Sequence, residues 1–181
     1  MVAARHISIE EFAATPYEGQ WELVDGEATE VNPASFRSVW IASELYARIR
    51  EFVRQNDLGR AVADGAGFIL FDDRAVVRSP DVAFISRDRL PTIVEGFVPV
   101  APDLAVEVLS PTDRRSDELA KIAMDLQAGV RLVWLIDPDP KTVTVFAEDQ
   151  PVSVIGSDGV LDGGEVLPGF SVAVAEIFAE E

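Results

Sequence analysis

The chain has 181 residues, of which 48% are hydrophobic and 26% are charged, and this composition is typical of a folded globular protein rather than a disordered or fibrous one. It has no cysteine and one histidine, His6, which excludes disulfide scaffolds, cysteine nucleophiles, and thiolate or multi-histidine metal sites. Its 32 acidic residues oppose 15 basic ones, and the net charge of −17 repels polyanions at long range. Divalent cations and the local field of a cleft can reverse that repulsion.

The domain organisation and the compartment follow from what the sequence lacks. Residues 1–181 contain no internal repeat, low-complexity tract or linker, and we expect one domain. No apolar run approaches the roughly 20 residues needed to cross a bilayer. Residues 1–20 also lack the basic start and apolar stretch of a secretory signal. A cytoplasmic protein is therefore expected.

The hydrophobic periodicity and the turn residues predict a mixture of helices and strands. In chain order they are a capped helix after Ser8, a hairpin turning at Asp25-Gly26, a long amphipathic helix over 36–56, strands near 60–63, 67–71, 76–85 and 104–109, a helix over 113–128, strands over 132–136 and 142–147, short strands near 152–156 and 170–174, and a last helical turn. This order predicts an α/β (α+β) fold, in which a mixed sheet carries helices on its faces.

Two carboxylates stand out because of their apolar neighbours. Glu107 interrupts the strand sequence Leu-Ala-Val-Glu-Val-Leu, and Asp81 follows Pro80 at the start of an apolar run. A charge in such a strand must be exposed, paired or bound to a cation. If the two strands are neighbours, both side chains can reach one hard cation, and Mg²⁺ or Mn²⁺ is expected. The alternatives are a turn residue for Asp81 and a solvated strand face for Glu107.

Asp103 and Lys121 are further candidates. Asp103 also follows a proline, but it lies four residues from Glu107, roughly 13 Å along an extended strand, which is too far to share a metal ion. Lys121 is one of only two lysines and lies within the predicted second long helix. An ammonium group can stabilise a developing phosphate charge. The alternative for Lys121 is a surface salt-bridge ladder with Asp117 and Asp125, four residues to either side.

Five short motifs, in this order and spacing, resemble the Uma-type restriction endonuclease family, which belongs to the PD-(D/E)XK nuclease superfamily. They are Glu22 in Trp-Glu-Leu-Val-Asp-Gly, Pro80-Asp81, Glu107 in Val-Glu-Val-Leu-Ser-Pro, Lys121 with Ala128-Gly129-Val130, and Trp134 in Trp-Leu-Ile-Asp-Pro. The similarity covers about residues 8–148. It implies a restriction-endonuclease-like core with Mg²⁺-dependent hydrolysis of DNA phosphodiester bonds.

The resemblance also assigns roles to residues. Asp81 and Glu107 would be the metal ligands, Lys121 the catalytic lysine, and Glu22 an acidic accessory. The superfamily pattern has its lysine two positions after the second acid, where this chain has Leu109, and the family moves that lysine to the next helix. Asp125 and Arg37 stand where the family often has an aromatic residue and a histidine.

The loop residues Arg114 and Arg115 are candidate phosphate contacts, with ordinary solvent-facing residues of a helix start as the alternative. A homodimer is expected, because nucleases that cut both strands of a duplex commonly pair two sites by twofold symmetry.

Two other functions remain open at this point. One is an inactive binding or dimerisation module with a nuclease fold, which the acidic charge favours. The other is a hydrolase of a small phosphorylated substrate.

Overall fold

Helices and strands alternate along the chain much as the sequence predicts. A computed structural model describes residues 6–179. The elements in that range are α1 (Ile9–Ala14), β1 (Trp21–Val24), β2 (Glu27–Glu30), α2 (Phe36–Gln55), β3 (Gly59–Ala63), β4 (Phe68–Phe71), β5 (Val76–Arg78), β6 (Val82–Ser86), β7 (Leu104–Val108), α3 (Arg115–Gln127), β8 (Leu132–Asp137), β9 (Thr142–Ala147), β10 (Ser153–Ile155), β11 (Val160–Asp162), β12 (Ser171–Ala173) and α4 (Val174–Ile177).

Local signals fix the ends of the helices. The Ser8 hydroxyl accepts a hydrogen bond from the Glu11 N–H and the Glu11 carboxylate accepts one from the Ser8 N–H, so the predicted capping box is confirmed. Ser35 caps α2 by accepting from the N–H of Ser38. Helix α3 begins two residues later than predicted, at Arg115, because the Asp113 carboxylate instead accepts from the N–H of Ser110 and closes a turn there.

The main sheet has six strands in the order β10-β9-β8-β7-β6-β3. Strands β7 and β8 are parallel and are joined through α3, whereas the other neighbours are antiparallel. The sheet is therefore mixed, and the predicted α+β architecture is confirmed. A second sheet has four antiparallel strands in the order β2-β1-β5-β4 and contains the predicted hairpin at Asp25-Gly26. Strands β11 and β12 form a small ribbon of their own.

The prediction of one strand over 76–85 was wrong. The chain forms β5 in the four-stranded sheet, breaks at Ser79-Pro80, and re-enters as β6 in the six-stranded sheet. Proline has no N–H for a sheet ladder and fixes its own backbone, so the strand cannot continue through it. Residues 79–81 therefore join two short strands that belong to different sheets. The sequence analysis also missed β11, whose sequence Val-Leu-Asp does not alternate between apolar and polar residues.

Apolar side chains pack on both faces of the six-stranded sheet. Helix α2 packs Ile41, Leu45 and Ile49 against one face, together with Val106 and Trp134 of the sheet. On the other face, Ile122 of α3 packs against a cluster that includes Ala105, Val133 and Leu135. Because strand residues alternate between faces, Glu107 shares the α3 face with Ala105. Between residues 6 and 179, no helix is both long and apolar enough to span a bilayer.

Candidate active site

Asp81 and Glu107 lie side by side at one end of the six-stranded sheet. Strands β6 and β7 are antiparallel, with Val82 opposite Val106, and the same register sets Asp81 opposite Glu107. Directly opposed residues have Cβ atoms only about 5 Å apart. The sequence analysis expected these carboxylates to be neighbours if their strands were adjacent, and the structure brings them together.

The backbone around Pro80 fixes the position of Asp81. The break in the strand places Asp81 just before β6, where its Oδ2 accepts a hydrogen bond of 2.7 Å from the N–H of Val108. Val108 follows Glu107 directly, so the carboxylate of Asp81 is tied to the strand that carries its partner. This bond orients Asp81 without using its second oxygen.

Burial and mutual repulsion make both carboxyl groups unusually reluctant to ionise. Burial raises the pKa of Asp81 to about 6, assisted by the charges of Asp64, Glu118 and Asp113 and opposed by the Val108 hydrogen bond. Burial, followed by repulsion from Asp81, raises the pKa of Glu107 well above its usual range. Among residues 6–179, no donor makes a hydrogen bond to Oε1 of Glu107. Two such carboxylates form a place where a cation would relieve a strong local repulsion.

A buried arginine, Arg78, lies beside this pair and contacts three carboxylates. Its Nε donates to Oε1 of Glu22 at 2.9 Å, Nη2 lies 3.5 Å from Oε1 of Glu107, and Nη1 lies 3.9 Å from Oδ1 of Asp125. The arginine is only 3% exposed. Burial alone would lower the pKa of Arg78, but the three carboxylates raise it, so the guanidinium stays charged. The β5 strand thus supplies a permanent positive charge to the site.

Glu22 and Asp125 face this arginine rather than solvent. Glu22 is buried on β1 and its Oε1 also accepts from the N–H of Ser79 at 3.0 Å. Asp125 is 2% exposed on α3, and burial raises its pKa to about 6. The expectation that Asp125 could belong to a surface ladder is wrong, because it is a buried partner of Arg78.

Lys121 lies on α3 at the border of the cluster. Its Nζ is 2.8 Å from Oε1 of Glu118, which is buried one turn earlier in the same helix, and the lysine side chain is 39% exposed. Burial alone would lower the pKa of Lys121, but the hydrogen bond and charge of Glu118 raise it above its ordinary value. Glu118 also contributes to the raised pKa of Asp81, so it links the lysine to the carboxylate pair.

The other candidates from the sequence lie elsewhere or are engaged differently. Asp103 is buried, accepts from the N–H of Ser86 at 2.8 Å and lies 3.1 Å from Nη1 of Arg89, which makes it a structural anchor of the β6–β7 region. Arg115 pairs with Asp137 at 3.0 Å. Arg114 is exposed at the start of α3.

The residues present fit a divalent ion of the Mg²⁺ type held by few protein ligands. Within residues 6–179, no three acidic or histidine side chains are arranged as a complete metal cage. Mg²⁺ nevertheless keeps several waters and is commonly held through one or two carboxylates plus substrate phosphates. Asp81 and Glu107 supply two carboxylates, and Oε1 of Glu107 still lacks a hydrogen-bond donor among the described residues. The structure thus has two carboxylates suited to act as the protein ligands of such a site.

Sequence reasoning missed Arg78 and Glu118. Arg78 carried a readable signal, because a charged residue in the apolar run Val76-Val77-Arg78 must find a partner when the strand is buried. Its three partners come from β1, β7 and α3, and no local pattern indicates that those segments meet. Glu118 lies at the i−3 position from Lys121 and could have been found as its helical partner.

Comparisons with known proteins agree with this architecture. The crystal structure of a "putative nuclease belonging to DUF820" from Anabaena variabilis ATCC 29413 superposes with a TM-score of 0.84 at 24% sequence identity, covering 95% of this chain and 97% of that one. That similarity shows a shared fold. No protein with curated annotation is significantly similar in sequence. The family model described as "Putative restriction endonuclease", Uma2, matches residues 9–175, and it supports a nuclease. The chain therefore belongs to the Uma2 family of putative restriction endonucleases.

Proposed function

We propose that this protein is a metal-dependent endonuclease that hydrolyses phosphodiester bonds in DNA. The observation that carries the proposal is the opposed pair Asp81 and Glu107, whose charges repel each other. The ammonium group of Lys121 lies at the border of the same cluster, where it pairs with Glu118. Perturbed carboxylates with a nearby cation are characteristic of functional sites. The fold and the family point to the same class of reaction.

In this proposal, Asp81 and Glu107 hold Mg²⁺ or Mn²⁺. Such an ion, when bound, polarises a phosphate oxygen and lowers the pKa of a coordinated water. Lys121 remains an ammonium group, because Glu118 raises its pKa, and its role is to stabilise negative charge on the phosphate rather than to remove a proton from water. The Val108 N–H ties the Asp81 carboxylate to the strand that carries Glu107.

The remaining candidates have supporting roles. Glu22 faces Arg78 and the N–H of Ser79, so we assign it to positioning the buried arginine rather than to contact with substrate. Arg114 and Arg115 are at the exposed start of α3, where they are available to phosphate groups of DNA. Arg115 would exchange its partner Asp137 for a phosphate. Two copies related by a twofold axis would cut both strands, and sedimentation velocity measures this dimer directly.

The acidic surface is the main argument for a different function. A net charge of −17 disfavours a polyanionic partner and favours a nuclease-fold binding module that has no cleavage activity. Millimolar divalent cations would offset part of this repulsion by binding the carboxylates and screening the surface. The two functions are separated by whether the protein that binds Mn²⁺ also cuts DNA.

The two lysines of the chain offer a matched test. Supercoiled plasmid and single-stranded DNA are incubated with Mn²⁺ and with wild type, Lys121→Met, Asp81→Asn or Lys141→Met. Lys141 is exposed in the β8–β9 turn. We expect Lys121→Met and Asp81→Asn to reduce the cleavage rate by about 100-fold or more, the usual cost of removing an electrostatic stabiliser. Lys141→Met should cut like the wild type.

Each other outcome has a definite meaning. Equal cutting by all four proteins would indicate a contaminating nuclease and would contradict the assigned roles. Binding of Mn²⁺ by the wild type without cleavage of either DNA would reject the endonuclease and favour the binding module. Circular dichroism of each variant confirms that loss of cleavage does not come from loss of the fold.

A further inference from the structure

The cluster around the candidate site holds more negative charge than one divalent ion needs. Five carboxyl groups, those of Glu22, Asp81, Glu107, Glu118 and Asp125, surround the cations Arg78 and Lys121. Full ionisation would leave three uncompensated negative charges. Glu118 forms an ion pair with Lys121, which leaves four carboxylates to be shared between Arg78 and a metal ion.

Arg78 divides these four carboxylates into two groups. Three of its nitrogen atoms face three different side chains: Nε faces Glu22, Nη2 faces Glu107 and Nη1 faces Asp125. The fourth, Asp81, lies opposite Glu107 in the β6–β7 register. Glu107 is therefore the shared member, because it adjoins both the guanidinium and Asp81.

The arrangement of these carboxylates resembles that of a site for two cations. In two-metal sites the two ions are only about 3.5–4 Å apart, so a carboxylate that adjoins both positions is shared between them. Here Glu107 adjoins both Asp81 and Arg78, but Glu22 and Asp125 are directed at a guanidinium that is 3% exposed and cannot lose its proton. The arginine side chain therefore occupies the position of the second cation.

We propose that Arg78 is a built-in cation that occupies the place of a second metal ion and limits the site to one divalent ion at Asp81 and Glu107. The inference depends on the proposed function, because it takes Asp81 and Glu107 as the metal-binding pair. Arg78 is a positioning residue in this scheme: it neutralises Glu22 and Asp125 and fixes Glu107 without contacting substrate. In this scheme the protein is a nuclease that binds a single divalent ion, because Arg78 occupies the second position.

The test counts bound ions. Isothermal titration with MnCl₂ alone, in the absence of DNA, is performed on wild type, Arg78→Gln, Arg78→Lys and the exposed control Arg50→Gln. We expect one ion for wild type, Arg50→Gln and Arg78→Lys, because each keeps a cation at position 78. Arg78→Gln should bind two ions, and the first should bind on the order of tenfold more tightly, since a unit positive charge a few ångströms away has been removed.

The rise in unfolding temperature caused by Mn²⁺ supplies a second readout, which would not change if the arginine were purely structural. Mn²⁺ should raise the unfolding temperature of Arg78→Gln more than that of the wild type, because the ion replaces the lost counter-charge. NaCl at matched ionic strength should not do so. If Arg78→Gln does not fold without metal, Arg78→Gln/Asp125→Asn restores the charge balance and should still bind a second, weaker ion through Glu22 and Glu107.

The outcomes separate this inference from the proposed function. One Mn²⁺ in both wild type and Arg78→Gln, with binding lost in Asp81→Asn, would overturn the role of Arg78 and leave the metal site intact. One ion in Arg78→Gln/Asp125→Asn would overturn it in the same way. No binding of Mn²⁺ by the wild type would overturn both.

Discussion

Replacing Asp81 with asparagine should stabilise the metal-free protein at neutral pH, although it removes a residue of the candidate site. Burial raises the pKa of this carboxyl group from 3.8 to about 6, so its ionisation costs free energy in the folded state that it does not cost in the unfolded chain. Asparagine is neutral, and its side-chain oxygen can still accept the hydrogen bond from the N–H of Val108.

The pKa shift gives the size of the effect and its dependence on pH. Each pKa unit corresponds to about 1.4 kcal/mol, so the rise from 3.8 to about 6 corresponds to roughly 3 kcal/mol at pH 7.5. Because the folded protein holds this proton more tightly, the free energy of unfolding falls as the pH rises from about 4 through about 6. The advantage of Asp81→Asn should therefore fall to roughly half at pH 5 and below about 1 kcal/mol at pH 4.

Urea unfolding in EDTA at pH 7.5, 5 and 4 measures this difference directly. Asp88→Asn is the matched control, because it removes the same charge from an exposed position in the turn after β6. Saturating Mn²⁺ should reverse the order at pH 7.5, since under the proposed function only the wild type binds the ion and is stabilised by it. A variant that is less stable than wild type at pH 7.5, or equally favoured at pH 4, would refute the reasoning.

Three other changes test the site and the fold. Arg78→Met leaves Glu22 and Asp125 as buried, unpaired carboxylates, and urea unfolding should show a loss of about 3–5 kcal/mol, against less than about 0.5 kcal/mol for the exposed Arg50→Met. The affinity for Mn²⁺ should increase between pH 5 and 7.5, because Asp81, with its pKa of about 6, and Glu107 must lose protons to bind a cation; a titration that is independent of pH would contradict this. Gly59→Ala would place a Cβ against the backbone carbonyl of Ile85 and should cost more stability in thermal unfolding than Gly129→Ala, which meets open space; an equal loss would show that the backbone at Gly59 can move.

Most of the fold was predictable because it depends on local patterns. The capping box at Ser8, the turn at Asp25-Gly26 and the apolar stripe of α2 each act within a few residues, and each appears in the structure. The error at 76–85 has a physical explanation. Both halves are apolar and favour strands, and only the Ser79-Pro80 step indicates that they enter different sheets.

The candidate site was predictable only in part. The polar residues Asp81 and Glu107 were conspicuous in apolar strands, and the antiparallel register of β6 and β7 sets them opposite each other. The partners of Arg78 could not be predicted, because its neighbours are 56, 29 and 47 positions away along the chain. Asp125 illustrates the difficulty, since its helical spacing from Lys121 predicts a surface pair whereas tertiary packing buries it against a strand.

The break at Pro80 has a consequence for how the proposed activity can be lost. Arg78 ends a strand of the smaller sheet and Asp81 precedes a strand of the larger one, so three peptide bonds couple the alignment of two layers to the spacing of the charged groups. A substitution far from the candidate site that slides one layer over the other would change that spacing while the protein stays folded. Loss of function without loss of structure is therefore to be sought among the residues packed between the layers, such as Phe68 and Leu70, as well as in the candidate site itself.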